Sequence, residues 1–152
     1  MNSTFEEILE RDGRLVYTGR GMSMLPLLRQ MRDVFILEKR GTERLQVGDV
    51  VLYRRPPDKY VLHRIVEVRA RDYVILGDNS VNREYGITDE DILAVMTGFV
   101  RNGKRHSVTE RGYRLYSFWM LHTAGARILF KRTLSLVKAG IKKVLGIGKT
   151  AA

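Results

Sequence analysis

The chain has 152 residues and a mass of 17.5 kDa, which is enough for one domain with a substantial core. Its 44% hydrophobic and 29% charged residues argue against wholesale disorder, and the absence of cysteine excludes disulfides, thiolate metal sites and a cysteine nucleophile. The formal net charge is +10, yet residues 1–110 carry 18 basic and 17 acidic residues, so the excess lies in the last quarter of the chain.

The N-terminal residues predict a short helix followed by a strand. Ser3 or Thr4 is a suitable N-cap because a glutamate stands three residues later and apolar residues then share one face. Gly13 predicts the turn that ends this helix. Residues 15–18 then predict the first strand.

A series of short β segments follows. Residues rich in β-branched and aromatic side chains alternate with glycine- and proline-containing turns, which predicts strands over residues 34–37, 49–53, 60–68, 73–76 and 92–100. This pattern is typical of a mainly β, mostly antiparallel domain. We place this domain at residues 1–105.

Residues 106–152 predict a basic, aromatic and amphipathic helical tail. Apolar side chains recur there at spacings of 4, 3, 4 and 3, which is a helical period: Phe130, Leu134, Val137, Ile141 and Val144. Gly140 weakens the pattern, so one helix ending near Leu145 and two shorter helices both remain open.

The charge of this tail suggests a partner. Residues 111–149 contain nine basic residues and no acidic residue, beside an aromatic cluster at residues 113–119. Such a segment suits an anionic membrane surface, and it suits equally a helix packed on the β domain with a solvated basic face. Nucleic-acid binding ranks third because the tail contains no base-reading module.

Targeting signals are not predicted. The N-terminus is acidic and lacks the basic start and apolar run of a secretory signal peptide. No uncharged apolar run approaches the roughly 20 residues that a spanning helix needs. We therefore expect a cytoplasmic protein, and of the two alternatives for the tail, the membrane one would be a peripheral attachment to the inner face.

Three segments carry side chains that can do chemistry. Ser23 lies in the segment GMSMLP at residues 21–26, His63 lies in a strand pattern, and Asp78 lies in the turn segment GDNS at residues 77–80. Taken singly, a turn serine, a strand histidine and a turn aspartate are ordinary structural residues. The three histidines, at positions 63, 106 and 122, are too far apart to suggest a local zinc site, and no metal or other cofactor is implied.

Together and in this order, these segments resemble the signal peptidase and LexA-like superfamily of serine peptidases. The resemblance rests on Gly-x-Ser-Met-x-Pro at residues 21–26, Gly-Asp-Val-Val at residues 48–51, His-Arg-Ile-Val at residues 63–66 and Gly-Asp-Asn at residues 77–79. A histidine followed by Arg-Ile/Val is similar to the archaeal and endoplasmic-reticulum branch, whose general base is histidine rather than lysine. The matched region covers about residues 14–100.

The resemblance implies a fold and a set of roles. It implies a coiled antiparallel β domain, with Ser23 as nucleophile and His63 as general base. It leaves the acidic partner open between Asp78, which matches the Gly-Asp-Asn aspartate, and Glu84, which lies where the histidine branch has a later acidic pair. The other position of that pair is Arg83 here.

The predicted function is therefore a serine endopeptidase that hydrolyses a leader or signal-like peptide within a precursor protein. Cytoplasmic leader removal fits better than secretory signal removal, since no spanning helix precedes the serine segment. Autocleavage has little support, because the 22 residues before Ser23 contain neither Ala-Gly nor Cys-Gly. Two alternatives remain open: a catalytically silent member that binds peptides or a partner, and a membrane-surface or nucleic-acid binding protein that acts through its tail.

Overall fold

The computed structural model describes residues 4–144 and the side chains of residues 4–141. In chain order the elements are α1 (Phe5–Asp12), β1 (Arg14–Tyr17), β2 (Val34–Lys39), β3 (Val50–Arg55), β4 (Lys59–Val68), β5 (Tyr73–Leu76), β6 (Glu84–Ile87), β7 (Ile92–Arg101), β8 (Lys104–Ser107), α2 (Arg111–His122) and α3 (Ala124–Val144).

The strands form one antiparallel sheet. Its order is β1-β2-β7-β3-β4-β5-β6, and β8 pairs with β7 off this path. The prediction of a mainly β protein with C-terminal helices is confirmed. The last strand ends at Ser107 and the first C-terminal helix begins at Arg111.

The sheet is buried on both faces near its centre. In β3, Val50 and Leu52 belong to one apolar cluster, whereas Val51 and Tyr53 belong to another. Successive side chains of a strand point to opposite faces, so these four residues connect two cores. This central burial gives β3 and its neighbour β4 fixed positions, and β4 carries His63.

Helix α1 begins as the sequence predicts. Thr4 is its N-cap and forms a reciprocal capping box with Glu7. Gly13 ends the helix in the left-handed conformation. The Phe5 ring lies 4.8 Å from the rings of both Tyr17 and Tyr60, so α1 closes one end of a cleft between β1 and β4.

Two short strands were not predicted from the sequence. Strand β6 has four residues, and β8 has four polar or charged residues that pair with the end of β7. The β7–β8 turn is formed by Asn102 and Gly103, both with positive φ. Asn-Gly is a strong signal for a two-residue hairpin, and it indicates β8 in retrospect.

The tail contains two helices. Helix α3 is continuous through Gly140 to Val144, so this stretch forms one helix rather than two. Leu145, the predicted end, and Lys149, the last of the nine cations, lie outside the described residues. Neither helix of the tail, nor any other helix between residues 4 and 144, has both the length and the apolar character required to cross a bilayer.

Candidate active site

Two connecting segments and the strand β4 border one cleft. The first is the serine segment (residues 21–28), between β1 and β2, and the second is the β5–β6 loop (residues 77–83). The cleft has a volume of about 580 Å³ and is lined by Ser23, His63 and Ser80 together with apolar side chains from β1, β2, β3 and β4.

Apolar anchors hold the serine segment in place. Met24, Leu27 and Leu28 are buried in the core, whereas Ser23 is only half-buried. The Leu28 amide donates to the Met24 carbonyl at 2.9 Å, which closes a turn after the serine. A serine on a tightly anchored turn is thereby left accessible from the cleft.

Asn79 joins the β5–β6 loop to the serine segment. Its amide N–H donates to the Ser23 carbonyl at 2.7 Å, and its side-chain Nδ2 donates to the Met22 carbonyl at 3.0 Å. These two bonds satisfy adjacent carbonyls of a turn that has no sheet partner. The position of Ser23 therefore depends on the conformation of this loop.

His63 lies on β4, opposite Val51 of β3, and is buried. Its Nδ1 is 3.1 Å from Glu84 Oε1 and 3.3 Å from the Tyr53 hydroxyl. A carboxylate only accepts hydrogen bonds, so we assign the proton of the neutral ring to Nδ1. Nε2 then carries the free lone pair.

Nε2 of His63 lies beside Gly77. A Cβ added at Gly77 would stand 2.8 Å from Nε2, 2.8 Å from the Ser23 carbonyl oxygen and 2.5 Å from Ser80 Oγ. These groups converge because glycine has no side chain here. Within residues 4–144, no direct hydrogen bond joins the Ser23 hydroxyl to His63, although both border the same cleft.

The surroundings of His63 lower its pKa. Burial is the largest cause, since the cationic imidazolium is poorly solvated, and the positive charge of Arg55 acts in the same direction. The carboxylate of Glu84 opposes both. With a pKa below the ordinary 6.5, the ring is neutral near pH 7 and can accept a proton.

Glu84 is oriented by Arg55. The Arg55 guanidinium donates to both Glu84 carboxylate oxygens, with Nε 2.9 Å from Oε2. Both residues lie at strand ends, Arg55 on β3 and Glu84 on β6. The carboxylate therefore presents one oxygen to His63 while its charge is balanced from the other side.

Asp78 has a different set of partners. It forms a bidentate ion pair with Arg64, at 2.8 Å for both Nε–Oδ1 and Nη2–Oδ2, and both side chains are almost fully buried. Tyr116 of α2 donates to Oδ2 at 2.8 Å. Burial and the charge of Asp78 raise the pKa of Tyr116, so this hydroxyl stays protonated.

Arg64 extends the same network to α2. Its Nη1 donates to the Gly48 carbonyl at 2.9 Å and to Ser117 Oγ at 2.8 Å. A planar guanidinium with five donors can bind all these acceptors at once, which lysine cannot do. One buried side chain thus joins β4, the turn before β3, the β5–β6 loop and α2.

Helix α3 holds the outer side of the β5–β6 loop. Arg127 Nη1 donates to the Asp78 carbonyl at 2.6 Å, and Lys131 Nζ donates to the Asn79 carbonyl at 2.7 Å and to Asn79 Oδ1. Arg132 adds a longer bond of 3.3 Å to the Val81 carbonyl. The tail therefore fixes the loop that contacts Ser23.

Ser23 and His63 line one cleft, His63 and Glu84 line a neighbouring one, and Asp78 lies in the buried network with Arg64. Sequence reasoning missed further residues of this site: Tyr53, Arg55, Asn79, Arg127 and Lys131. Only Asn79 had a local signal, the Gly-Asp-Asn turn. The others are brought close by strand register and helix packing, which leave no short motif.

Comparison of the chain with family models, curated proteins and solved structures finds no match. The geometry of this site therefore carries the functional argument.

Removing the charge of Asp78 and removing that of Glu84 should change the free energy of unfolding by different amounts. Asp78→Asn leaves the buried Arg64 cation without its counter-charge, and we expect it to lower the free energy of unfolding by about 3–5 kcal/mol. Glu84→Gln is the matched control, because its carboxylate is 22% exposed, and we expect a loss of about 1 kcal/mol or less. Urea unfolding followed by circular dichroism measures both.

The opposite result would reassign the roles. If Asp78→Asn were as stable as wild type and Glu84→Gln were strongly destabilised, Asp78 would be free to orient His63, and Glu84 would be the structural carboxylate.

Proposed function

We propose that this protein is a serine endopeptidase of the signal peptidase-like type, built on a LexA-like coiled antiparallel β domain. Ser23 is the nucleophile, His63 is the general base, and Glu84 orients the imidazole. The single observation that carries the proposal is the position of His63, whose Nδ1 contacts Glu84, whose Nε2 lies beside Gly77, and whose side chain lines the same cleft as Ser23. The four sequence segments of the resemblance support the same assignment.

The reaction begins when the Ser23 hydroxyl attacks the carbonyl carbon of a peptide bond. Its proton passes to His63 Nε2, and the carboxylate of Glu84 stabilises the imidazolium that forms. The imidazolium then gives this proton to the leaving amine as the C–N bond breaks, which leaves an ester on Ser23. Water, activated by the same imidazole, hydrolyses the ester and restores the free serine.

Asp78 has a positioning role in this mechanism. Its ion pair with Arg64 and its bond from Tyr116 leave its carboxylate without a contact to His63 among the described hydrogen bonds and ion pairs of residues 4–144. The pair fixes the loop that carries Gly77 and Asn79, and through them the approach of Ser23 to the imidazole. Asp78 thereby acts on the reaction through other residues.

The cleft favours an extended substrate with apolar side chains. Its walls include Tyr17, Met24, Phe35, Leu52 and Leu62. Strand β1 has one sheet neighbour, β2, within the described chain, and Val16 on it is 55% exposed. A leader or signal-like peptide can therefore add as a strand along β1 and bring its scissile bond to Ser23, with small side chains near that bond.

Peptide-library profiling tests this proposal directly. We expect wild type to generate new termini in a mixed peptide library, and Ser23→Ala to reduce the rate at least about 1000-fold, since removal of the nucleophile leaves only residual catalysis. Ser80→Ala is the matched control, because Ser80 borders the same cleft and its Oγ also lies close to Gly77. We expect it to retain cleavage. Mass spectrometry identifies the termini and the preference at the cleaved bond.

Two results would count against the assignment. Cleavage that survives Ser23→Ala and disappears in Ser80→Ala would move the nucleophile to Ser80. Peptide binding to wild type without any cleavage would favour the silent peptide-binding alternative.

The pH dependence follows from the lowered pKa of His63. The base must be neutral, so kcat/KM should fall at acid pH as the imidazole becomes protonated, with the midpoint of this acid limb below the ordinary imidazole pKa of 6.5. In Glu84→Gln the carboxylate that favours the imidazolium is lost. We expect kcat to drop by about 10²–10⁴-fold and the acid limb to move to still lower pH.

Glu90→Gln provides the control for this experiment, because Glu90 is exposed and the change in charge is the same. Its profile should match that of wild type. An acid limb that moved to higher pH in Glu84→Gln would contradict the assigned contact between Glu84 and His63.

A further inference from the structure

The two tail helices expose large apolar side chains that the β domain does not cover. Each of the following is more than half exposed, on α2 or on α3: Leu115, Phe118, Trp119, Leu129, Phe130, Leu136, Val137 and Ile141. Scattered apolar residues are normal on a surface, whereas a contiguous set of this size marks a contact surface.

On α3 these side chains form one continuous face. At about 100° per residue, Leu129, Phe130, Leu136, Val137 and Ile141 fall within an arc of about 140° around the helix axis. We call this arc the apolar face of α3.

This face points away from the β domain. Arg127 and Lys131, which bind the β5–β6 loop, lie beyond one edge of the apolar face. Every residue of α3 from Arg132 to Ile141 is exposed. The second half of the helix therefore projects from the body and makes little packing contact with it within the described residues.

Cations flank the apolar face on both edges. Lys138 lies beyond Ile141 on one edge, and Arg132 lies beyond Leu136 on the other. The described tail, residues 111–144, contains eight basic residues and no acidic residue. On α2, Arg111 and Arg114 accompany the exposed Phe118 and Trp119.

We propose that the apolar face of α3 docks this protein on an anionic lipid surface. An apolar arc bordered by cations lets the side chains enter the acyl boundary while the cations contact anionic headgroups. The helix lies in the plane of the surface.

The positive charge of the tail favours a lipid surface over a second copy of this chain as the partner of the apolar face of α3. Packing two apolar faces together would bring Arg132 and Lys138 of each copy close to those of the other, and neither described tail has an acidic residue to balance them. That repulsion opposes self-association, whereas an anionic surface supplies the opposite charge. The proposal does not depend on the peptidase assignment.

Vesicle flotation with the full chain tests the proposal. We expect wild type to float with vesicles of equimolar phosphatidylcholine and phosphatidylglycerol, to float weakly with phosphatidylcholine alone, and to be released by added salt. Phe130→Asn with Leu136→Asn should weaken binding to the anionic vesicles at least about tenfold. The matched control is Ser135→Asn with Ala139→Asn, on the opposite and equally exposed side of the same helix, and it should bind as wild type does.

Three results would overturn the proposal. The first is no flotation with anionic vesicles, and the second is an equal loss in both double variants. The third is a lipid-free dimer, detected by analytical ultracentrifugation, that Phe130→Asn with Leu136→Asn dissociates. Ser23→Ala should float as wild type does, so a failure of docking is distinguishable from a failure of the proposed activity.

Discussion

The buried ion pair between Arg64 and Asp78 is the constraint on which the site depends. Arg64 is among the largest fully buried side chains of residues 4–141, and a charge removed from water is tolerated only when its partners surround it. The partners of Arg64 come from the β5–β6 loop, the turn at Gly48 and α2 through Ser117, and Tyr116 of α2 donates to Asp78. Four parts of the chain must therefore be in place together, and the loop beside the candidate nucleophile is one of them.

The β5–β6 loop and the residue that follows it supply two carboxylates with different roles. Asp78, at its start, is buried and balances Arg64, whereas Glu84, just after it, is partly exposed and contacts His63. Between them, Asn79 holds the Ser23 carbonyl, and α3 holds Asn79 from outside through Lys131. The two acids differ in burial. The buried carboxylate of Asp78 forms a bidentate ion pair and positions the backbone, whereas the partly exposed carboxylate of Glu84 lies near the imidazole. The tail is consequently part of the support of the site, even though its far half projects into solvent.

Much of this arrangement is visible in the sequence, but not all of it. Ser23 and His63 stand in motifs with a fixed local spacing, and the longer strands show β-branched runs that propensity and turn residues reveal. The choice between Asp78 and Glu84 has no local signal, because it depends on which carboxylate the register of β4 and β5 turns toward Arg64. Strand β6 was missed for a similar reason: Glu84–Ile87 is short and contains Gly86, so pairing with β5 rather than propensity decides its conformation. Contacts such as that of Lys131 with the loop join residues about 50 positions apart, and no window of sequence contains them.

The most direct test of the account is a double-mutant cycle on cleavage of a peptide identified as a substrate. The rates of Ser23→Ala, His63→Ala and the combined variant would be compared with wild type. Because every step assigned to the imidazole acts on Ser23 or on the ester that Ser23 forms, we predict that each single change lowers kcat/KM by a similar factor and that the combined variant is no slower than either. If the loss of kcat/KM in the combined variant equalled the product of the two single losses, the two residues would act independently. That result would contradict a Ser23–His63 catalytic unit.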